Sequence, residues 1–358
     1  MFSARLLQAL ARRGYQVTVV AGHHQAGLPD EIDLDGVRVH RFPFHQILSA
    51  NDVDATSTCV RRVSRLKRAA APDLVHLNTL GPSVLFHLRT ARAWPAPVLL
   101  TLHSPVMEDA GRLDTLYGQA LHTAAWVNAN SRAVRAELCR RLPEMAGRSS
   151  VTYYGMAPPA LPPAPRPLAN PVVLAFGRLV PEKGFDLAIR AFVAVRHRVP
   201  RARLVIAGVG PARQDLERLI ADCGLAGSAE VVGPVPPEAV PALINTSSLV
   251  VVPSRWDEPF GLVALEAALM ARPVVATRAG GLAEVVEDGT TGILVDREDW
   301  RALGEAIVRL LESPPAADAM GAAARQRARE QFDWDRCVDE YERLYEQVAP
   351  SPRSALHA

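Results

Sequence analysis

Lysine is nearly absent from this chain of 358 residues: of its 40 basic side chains only Lys67 and Lys183 are lysines, and the rest are arginine. Against that background each remaining lysine stands out, because an ammonium and a guanidinium are not equivalent at a tight phosphate site. Cysteine is scarce as well. Cys59, Cys139, Cys223 and Cys337 are scattered, with no CxxC pair and no Cys/His cluster. That spacing excludes a disulfide framework and a zinc site and fits reduced thiols. No apolar run reaches the roughly 18 to 20 residues that span a bilayer. Residues 1–22 alternate polar and apolar, as no signal peptide does. The expected location is cytoplasmic. An excess of one charge is also missing: the net charge is +2, which argues against nucleic acid as the main partner, since phosphate backbones select strongly basic surfaces.

What the chain has is apolar material, 49% of its residues, ample for the two cores that a chain of this length favours. Short β-branched runs alternate with helical patterns throughout. VTVVAG (17–22), RVHRF (38–42), DLVHLN (73–78), VLLTLH (98–103), AWVNAN (125–130) and VTYYG (151–155) read as strands of a first sheet. VVLAFGR (172–178), RLVIAG (203–208), EVVG (230–233), LVVVPS (249–254), PVVATR (273–278) and GILV (292–295) read as strands of a second. Helical patterns at 184–198, 211–223, 261–271 and 298–312 separate the latter. Near-continuous apolar strands alternating with helices predict parallel sheets covered on both faces.

Between the two sets lies APPALPPAPRPLANP (157–171), in which seven of 15 residues are proline. It can be neither helix nor central strand and reads as a semi-rigid linker. The predicted organisation is an N-terminal doubly wound domain at 1–156, the linker at 157–171, a C-terminal domain at 172–331 and a terminal helix at 332–349. Ligands of such sheets bind beyond the carboxyl ends of the strands, which makes the cleft between the domains the expected site. The chain opens directly on an amphipathic helix, where a doubly wound domain opens on a strand and a glycine-rich loop. Either the start is truncated or misassigned, which is favoured, or the domain lacks that element.

Two stretches carry chemistry. In PSRWDEPFGLVALEAALMARPVV (253–275) a strand ends, a short loop carries Glu258, and a helix starts near Phe260–Gly261. The free N–H groups and positive end of that helix suit a diphosphate. Gly261 lets a ligand approach the backbone. Glu258 can accept hydrogen bonds from sugar hydroxyls. Glu266, a turn and a half into the helix, can clamp a vicinal diol such as a ribose; a solvated helix glutamate is the competing reading, which its apolar neighbours oppose. In FGRLVPEKGFDLAIRAF (176–192) a strand ends in Gly177 and is followed by Arg178, a turn at Pro181, then Lys183 and Gly184. Arg178 and Lys183 form a cationic pair able to neutralise a leaving diphosphate, the alternative being two surface cations.

GRLVPEKG (177–184), EPFGLVALE (258–266) and GGLAEVVEDGTTG (280–292) together make the C-terminal half resemble the donor domain of the retaining glycosyltransferases of family 4. FDWDRCVDEYERLYEQV (332–348) resembles that family's terminal helix, which returns across the N-terminal domain. The resemblance implies a GT-B fold, two Rossmann-like α/β domains facing a cleft. It implies a metal-independent, retaining transfer from a nucleotide-diphosphate sugar, with a UDP- or GDP-sugar expected, to a hydroxyl acceptor, and no cofactor beyond that co-substrate. By the same resemblance Arg178 and Lys183 would hold the diphosphate, Glu258 the transferred sugar and Glu266 the ribose. The backbone of Phe260, Gly261 and Leu262 would meet sugar and phosphates, and the stretch Gly233–Val235 the base.

TLHS (101–104) resembles the family's strand-end histidine, so His103 would face the donor sugar. Ser131, in NANSRAV, reads as a helix N-cap. The family's Asn-Gly-Val-Asp after the last N-domain strand stands here as Tyr154-Gly155-Met156-Ala157. Together with the missing first strand, this leaves acceptor binding and turnover open. The acceptor itself (glycan, lipid or small molecule) is not specified. RRVSRLKR (61–68) on a helix offers contact with an anionic membrane surface, against the blander reading of a solvated basic face. A non-catalytic nucleotide-sugar-binding protein or partner subunit is the alternative function. A nicotinamide oxidoreductase fits poorly: GVGPAR (208–213) lacks the third glycine of the dinucleotide fingerprint.

Overall fold

The computed structural model describes residues 2–23, 27–78 and 80–349. The chain divides into two compact units. The first holds the residues up to Asn130, Val134–Thr152 and the chain from Asp335 onward; the second holds Tyr153–Trp334 and Ser131–Ala133.

In the first unit the strands form two sheets, not the single sheet expected. β1 (Val17–Gly22), β2 (Glu31–Leu34) and β3 (Val37–Phe42) make one, in the order β1-β3-β2. β2 runs antiparallel to β3, a hairpin turned at Asp35-Gly36. The sequence pattern missed β2 because EIDL is only four residues long and mostly exposed. β4 (Val75–Leu77), β5 (Val98–Leu102), β6 (Trp126–Ala129) and β7 (Ser149–Val151) make a parallel second sheet in chain order. β7 ends at Val151, where the pattern placed a strand over 151–155; Thr152 N still donates to Ala129 O (3.0 Å), after which the chain leaves the sheet. β1 and β4 lie at the edges of their sheets.

Amphipathic helices cover these sheets. The helix Phe2–Arg12 buries Leu6 and Leu10. Val53–Ala70 is capped by Asp52, whose side chain accepts from Ala55 N, and buries Cys59 and Val63. From Asp335 the helix Trp334–Val348 packs into this unit: Tyr345 OH lies 2.8 Å from His76 Nδ1, and Arg13 pairs with Asp339 at 2.6 Å.

The second unit carries a single six-stranded parallel sheet. Its strands are β8 (Val172–Phe176), β9 (Arg203–Ala207), β10 (Ala229–Val232), β11 (Leu249–Val252), β12 (Val274–Thr277) and β13 (Gly292–Val295). Their order is β10-β9-β8-β11-β12-β13. The chain thus winds one way from β8 to β10, then crosses back beside β8 and winds the other way, so the topological switch falls between β8 and β11. β11 and β12 are buried at every position, as strands covered on both faces must be. The helices Phe185–Arg198 and Trp300–Glu312 bring Phe192, Val195, Leu303 and Ile307 into that core.

The proline-rich stretch runs along this unit. The fully buried Arg272 donates to Ala164 O (2.9 Å), Asn245 O (3.0 Å) and Ser247 O (2.7 Å). Burial lowers its pKa to about 10, which leaves it charged at neutral pH. Arg166 pairs with Asp318 at 2.6 Å and donates to Pro314 O at 2.8 Å. Ser248 Oγ donates to Pro167 O at 2.7 Å.

Candidate donor-sugar site

Both motif-bearing loops of the second unit leave the carboxyl ends of β8 and β11, strands that pair side by side. This topology carries Lys183, on one loop, to Glu258 on the other, and Arg178 precedes Lys183 on the same loop. After β8 the chain passes through Gly177 and the exposed Arg178, buries Leu179, and turns through Pro181–Lys183 to Gly184, the N-cap of the helix Phe185–Arg198. Gly184 has φ 66°, and a Cβ there would lie 2.0 Å from Pro253 O. The two loops therefore touch backbone to backbone, which no larger residue would permit.

Glu258 is the centre of the site. It is 6% exposed, and its Oε1 accepts from Lys183 Nζ at 2.6 Å and from Ser254 Oγ at 2.5 Å. Lys183 Nζ also lies 5.6 Å from the centroid of the Trp256 ring. The sequence reading assigned Lys183 to a diphosphate and Glu258 to a sugar as separate contacts; here they are one ion pair. Arg178, by contrast, has no carboxylate partner among the described residues. The loop after β11 is held by Arg255, which donates to both oxygens of Asp186 (2.5 and 2.7 Å) and to Glu298 (2.8 Å). Those carboxylates hold its guanidinium above its ordinary pKa.

The helix over 261–271 is shorter than expected, Leu262–Leu269, with Gly261 as its N-cap at φ 118°. That glycine answers to its own backbone and to Leu282, whose Cδ1 would lie 2.8 Å from a Cβ, so its need does not depend on a ligand. The Phe260 ring is buried among Tyr153, Tyr154 and Phe332, which leaves its backbone as the part able to meet a ligand. Leu262, at the first turn, is exposed. Glu266 is half-buried, and burial pushes its pKa up to about 7. It pairs with no cation among the described residues. Gly233, past the end of β10, accepts from Gly208 N at 3.2 Å, and Val235 beside it is half-buried. This segment sits at the sheet's edge, two strands from β8.

His103 belongs to the other unit, one residue past β5. Its Nε2 lies 2.8 Å from Asn78 Oδ1, and burial lowers its pKa to about 4, so the ring is neutral at pH 7. In the basic helix, Arg61, Arg62, Arg65 and Arg68 are exposed, whereas Lys67 turns inward to His87 Nδ1 at 3.2 Å and its pKa falls to about 8 through burial. Glu284 of the GGLAE segment accepts from the N–H groups of Arg132 (2.9 Å) and Ala133 (2.8 Å) and from Tyr153 OH (2.7 Å).

The chain matches known proteins over most of its length. Residues 2–158 match the family described as Glycosyltransferase Family 4, and residues 162–327 that described as Glycosyl transferases group 1. Glycogen synthase of Mycobacterium tuberculosis is 30% identical over 363 residues, covering 92% of this chain and 86% of that one. The chain belongs to glycosyltransferase family 4. Alpha-D-kanosaminyltransferase of Streptomyces kanamyceticus is 31% identical over 259 residues, covering 71% of this chain and 61% of that relative. The chain thus spans about three fifths of that relative's length. Among solved structures, sucrose-phosphate synthase of Thermosynechococcus elongatus superposes with a TM-score of 0.81, at 26% identity, covering 97% of this chain and 92% of that one. The fold is GT-B.

Three residues of this family-4 site were not singled out from sequence: Ser254, Arg255 and Thr277. Thr277 Oγ1 donates to Ser254 O at 2.6 Å. The spacing of Ser254 four residues before Glu258 was a visible signal, but four residues is a contact distance only on a helix, and this is a loop. Asp-x-Asp triplets do occur, at 33–35, 52–54 and 333–335. Asp33 accepts from Gly36 N in the hairpin turn and Asp52 caps a helix. Among the described residues no three His, Cys, Asp or Glu side chains gather to hold a metal ion. No helix of those residues is long and apolar enough to cross a membrane.

Proposed function

We propose that this protein is a retaining, metal-independent glycosyltransferase that moves a sugar from a nucleotide-diphosphate donor to a hydroxyl acceptor. The observation that carries the reading is the buried Glu258 carboxylate, bonded by Lys183 and Ser254, on the loop that leads into the helix Leu262–Leu269. A fixed carboxylate suits the hydroxyls of a sugar. A guanidinium and a helix N-terminus suit the diphosphate attached to it.

In the proposed reaction the bond between the sugar's anomeric carbon and the β-phosphate oxygen breaks, and its electron pair stays on that oxygen. The acceptor hydroxyl oxygen bonds to the same carbon on the same face, and its proton passes to the departing phosphate. Negative charge grows on the diphosphate as it leaves. Arg178, Lys183 and the helix N–H groups supply the positive charge to meet it, so electrostatic stabilisation is the main contribution asked of the protein. Glu266 holds the ribose diol, the backbone of Gly233–Val235 reads a uracil or guanine base, and His103 contacts the transferred sugar.

Thermal unfolding with UDP, GDP, ADP and TDP, on wild type and Glu266→Ala, tests the reading. A nucleotide at about 100 times its Kd stabilises the fold by roughly 2.7 kcal/mol. One nucleotide stabilising wild type and not the variant names the base. Stabilisation by none of the four overturns the donor site, and binding with no transfer to any hydroxyl acceptor returns the protein to a binding role.

A further inference from the structure

Ser254 is fully buried where β11 gives way to its loop, and its backbone is fixed by Thr277 Oγ1, which donates to Ser254 O at 2.6 Å. Its hydroxyl donates to Glu258 Oε1, the same oxygen that Lys183 holds. Among the described residues Oε2 receives no hydrogen bond. A carboxylate offers about four lone-pair positions on two oxygens, and two charge-assisted bonds on one oxygen fix how it is rotated. We propose that Ser254 is a positioning residue for donor recognition: with Lys183 it occupies Oε1 of Glu258 and thereby turns Oε2 toward a hydroxyl of the transferred sugar.

This rests on the donor-site reading above and adds a division of labour to it. Lys183 alone leaves the carboxylate free to swing about one contact, since an ammonium is a rotating point charge with no preferred plane. The Ser254 hydroxyl supplies the second fixed direction. The sugar part of the donor feels this orientation; the nucleotide and diphosphate, met by Arg178, Lys183, Glu266 and backbone groups, make no contact with Oε2.

Calorimetric titration of the full chain with UDP, GDP, ADP and TDP, and with the glucose or mannose conjugate of each nucleotide that binds, on wild type and Ser254→Ala, tests it. For whichever base binds, the expected result is a Kd about tenfold weaker for the sugar nucleotide in the variant, with the Kd of the bare nucleotide diphosphate unchanged. A purely structural role would weaken both alike, and that outcome, or no change in either, overturns the assignment and leaves the donor site standing. If wild type binds none of the four, the donor-site reading falls and this assignment falls with it. A crystal structure of Ser254→Ala gives a ligand-free check: the Glu258 carboxylate is expected to rotate, and one that keeps its position overturns the proposal.

Discussion

Lys183 Nζ lies 2.6 Å from Glu258 Oε1 although 75 positions separate the two residues. Their side chains are 19% and 7% exposed, so the pair is largely cut off from water. Removing one partner leaves a buried charge without compensation, which costs about 3–5 kcal/mol, whereas removing both charges together costs much less. Lys183→Met is therefore expected to lose about 3 kcal/mol in urea unfolding, and Lys183→Met/Glu258→Gln to recover most of it while remaining inactive. Equal stabilities for the single and double variants would show that the pair is not desolvated in solution.

Arg178 makes the opposite case. Exposed and without a carboxylate partner among the described residues, it contributes little to the fold. Arg178→Ala is expected to change stability by no more than about 0.5 kcal/mol. Turnover should fall by about 10² to 10³ if the guanidinium stabilises the leaving diphosphate. Thermal unfolding and initial rates on one preparation separate the two quantities, and near-normal turnover refutes the assigned role.

Glu266 titrates near pH 7 in the fold because burial disfavours its charged form, against an ordinary value of 4.5. The folded pKa is raised, so the folded state holds its proton more tightly than the unfolded chain. Stability is therefore highest below about pH 4.5 as far as this group is concerned, and falls as pH rises from there through about 7. Glu266→Gln is expected to be more stable than wild type at pH 8, by about 2 kcal/mol, and no more stable at pH 4. It should also lose most of its stabilisation by nucleotide. A melting-temperature difference that does not change between pH 4 and pH 8 would contradict the assignment of this titration to Glu266.

Gly184 and Gly224 share a left-handed backbone, φ 66° and 67°, but differ in surroundings. A Cβ at Gly184 would lie 2.0 Å from Pro253 O; at Gly224 it would meet nothing within 4 Å. Gly224→Ala is expected to cost about 1 kcal/mol, the conformational penalty alone. Gly184→Ala should cost more and weaken donor binding as well, because the two loops must part. Equal costs would remove the close approach as the reason for glycine at 184.

Much of this was legible in the residues and some was not. The six strands of the second unit could be read because each is a short apolar run bounded by glycine, proline or a charge, and GRLVPEKG and EPFGLVALE mark the two loops by composition. The first unit was harder. EIDL puts Ile32 and Leu34 on one face but is only four residues long and mostly exposed, and nothing in VTVVAG or DLVHLN says that their strands end up in separate sheets. In the site, the Lys183–Glu258 pair depends on the order of β8 and β11, a property of the crossover and not of either motif. Ser254, Thr277 and Arg255 act through single hydrogen bonds to residues near them in space, and hydroxyls and arginines in loops look alike until the loop's path is known. The raised pKa of Glu266 was half visible: its apolar neighbours foretold burial, though not the missing cation.

The anchoring of the proline-rich stretch governs how the chain can be taken apart. Arg272 and Arg166 find acceptors at Ala164 O, Asp318 and Pro314 O. Excising the second unit by a cut at the first strand, near residue 172, would strip Ala164 from Arg272 and remove Arg166 from its pocket. The Arg272 guanidinium would keep Asn245 O, Ser247 O and Met270 O but lose one buried acceptor, and Asp318 would lose its Arg166 partner. A separable half of this protein therefore has to begin ahead of residue 164, and stretches of this kind in related chains are better assigned by the buried charges they satisfy than by their prolines.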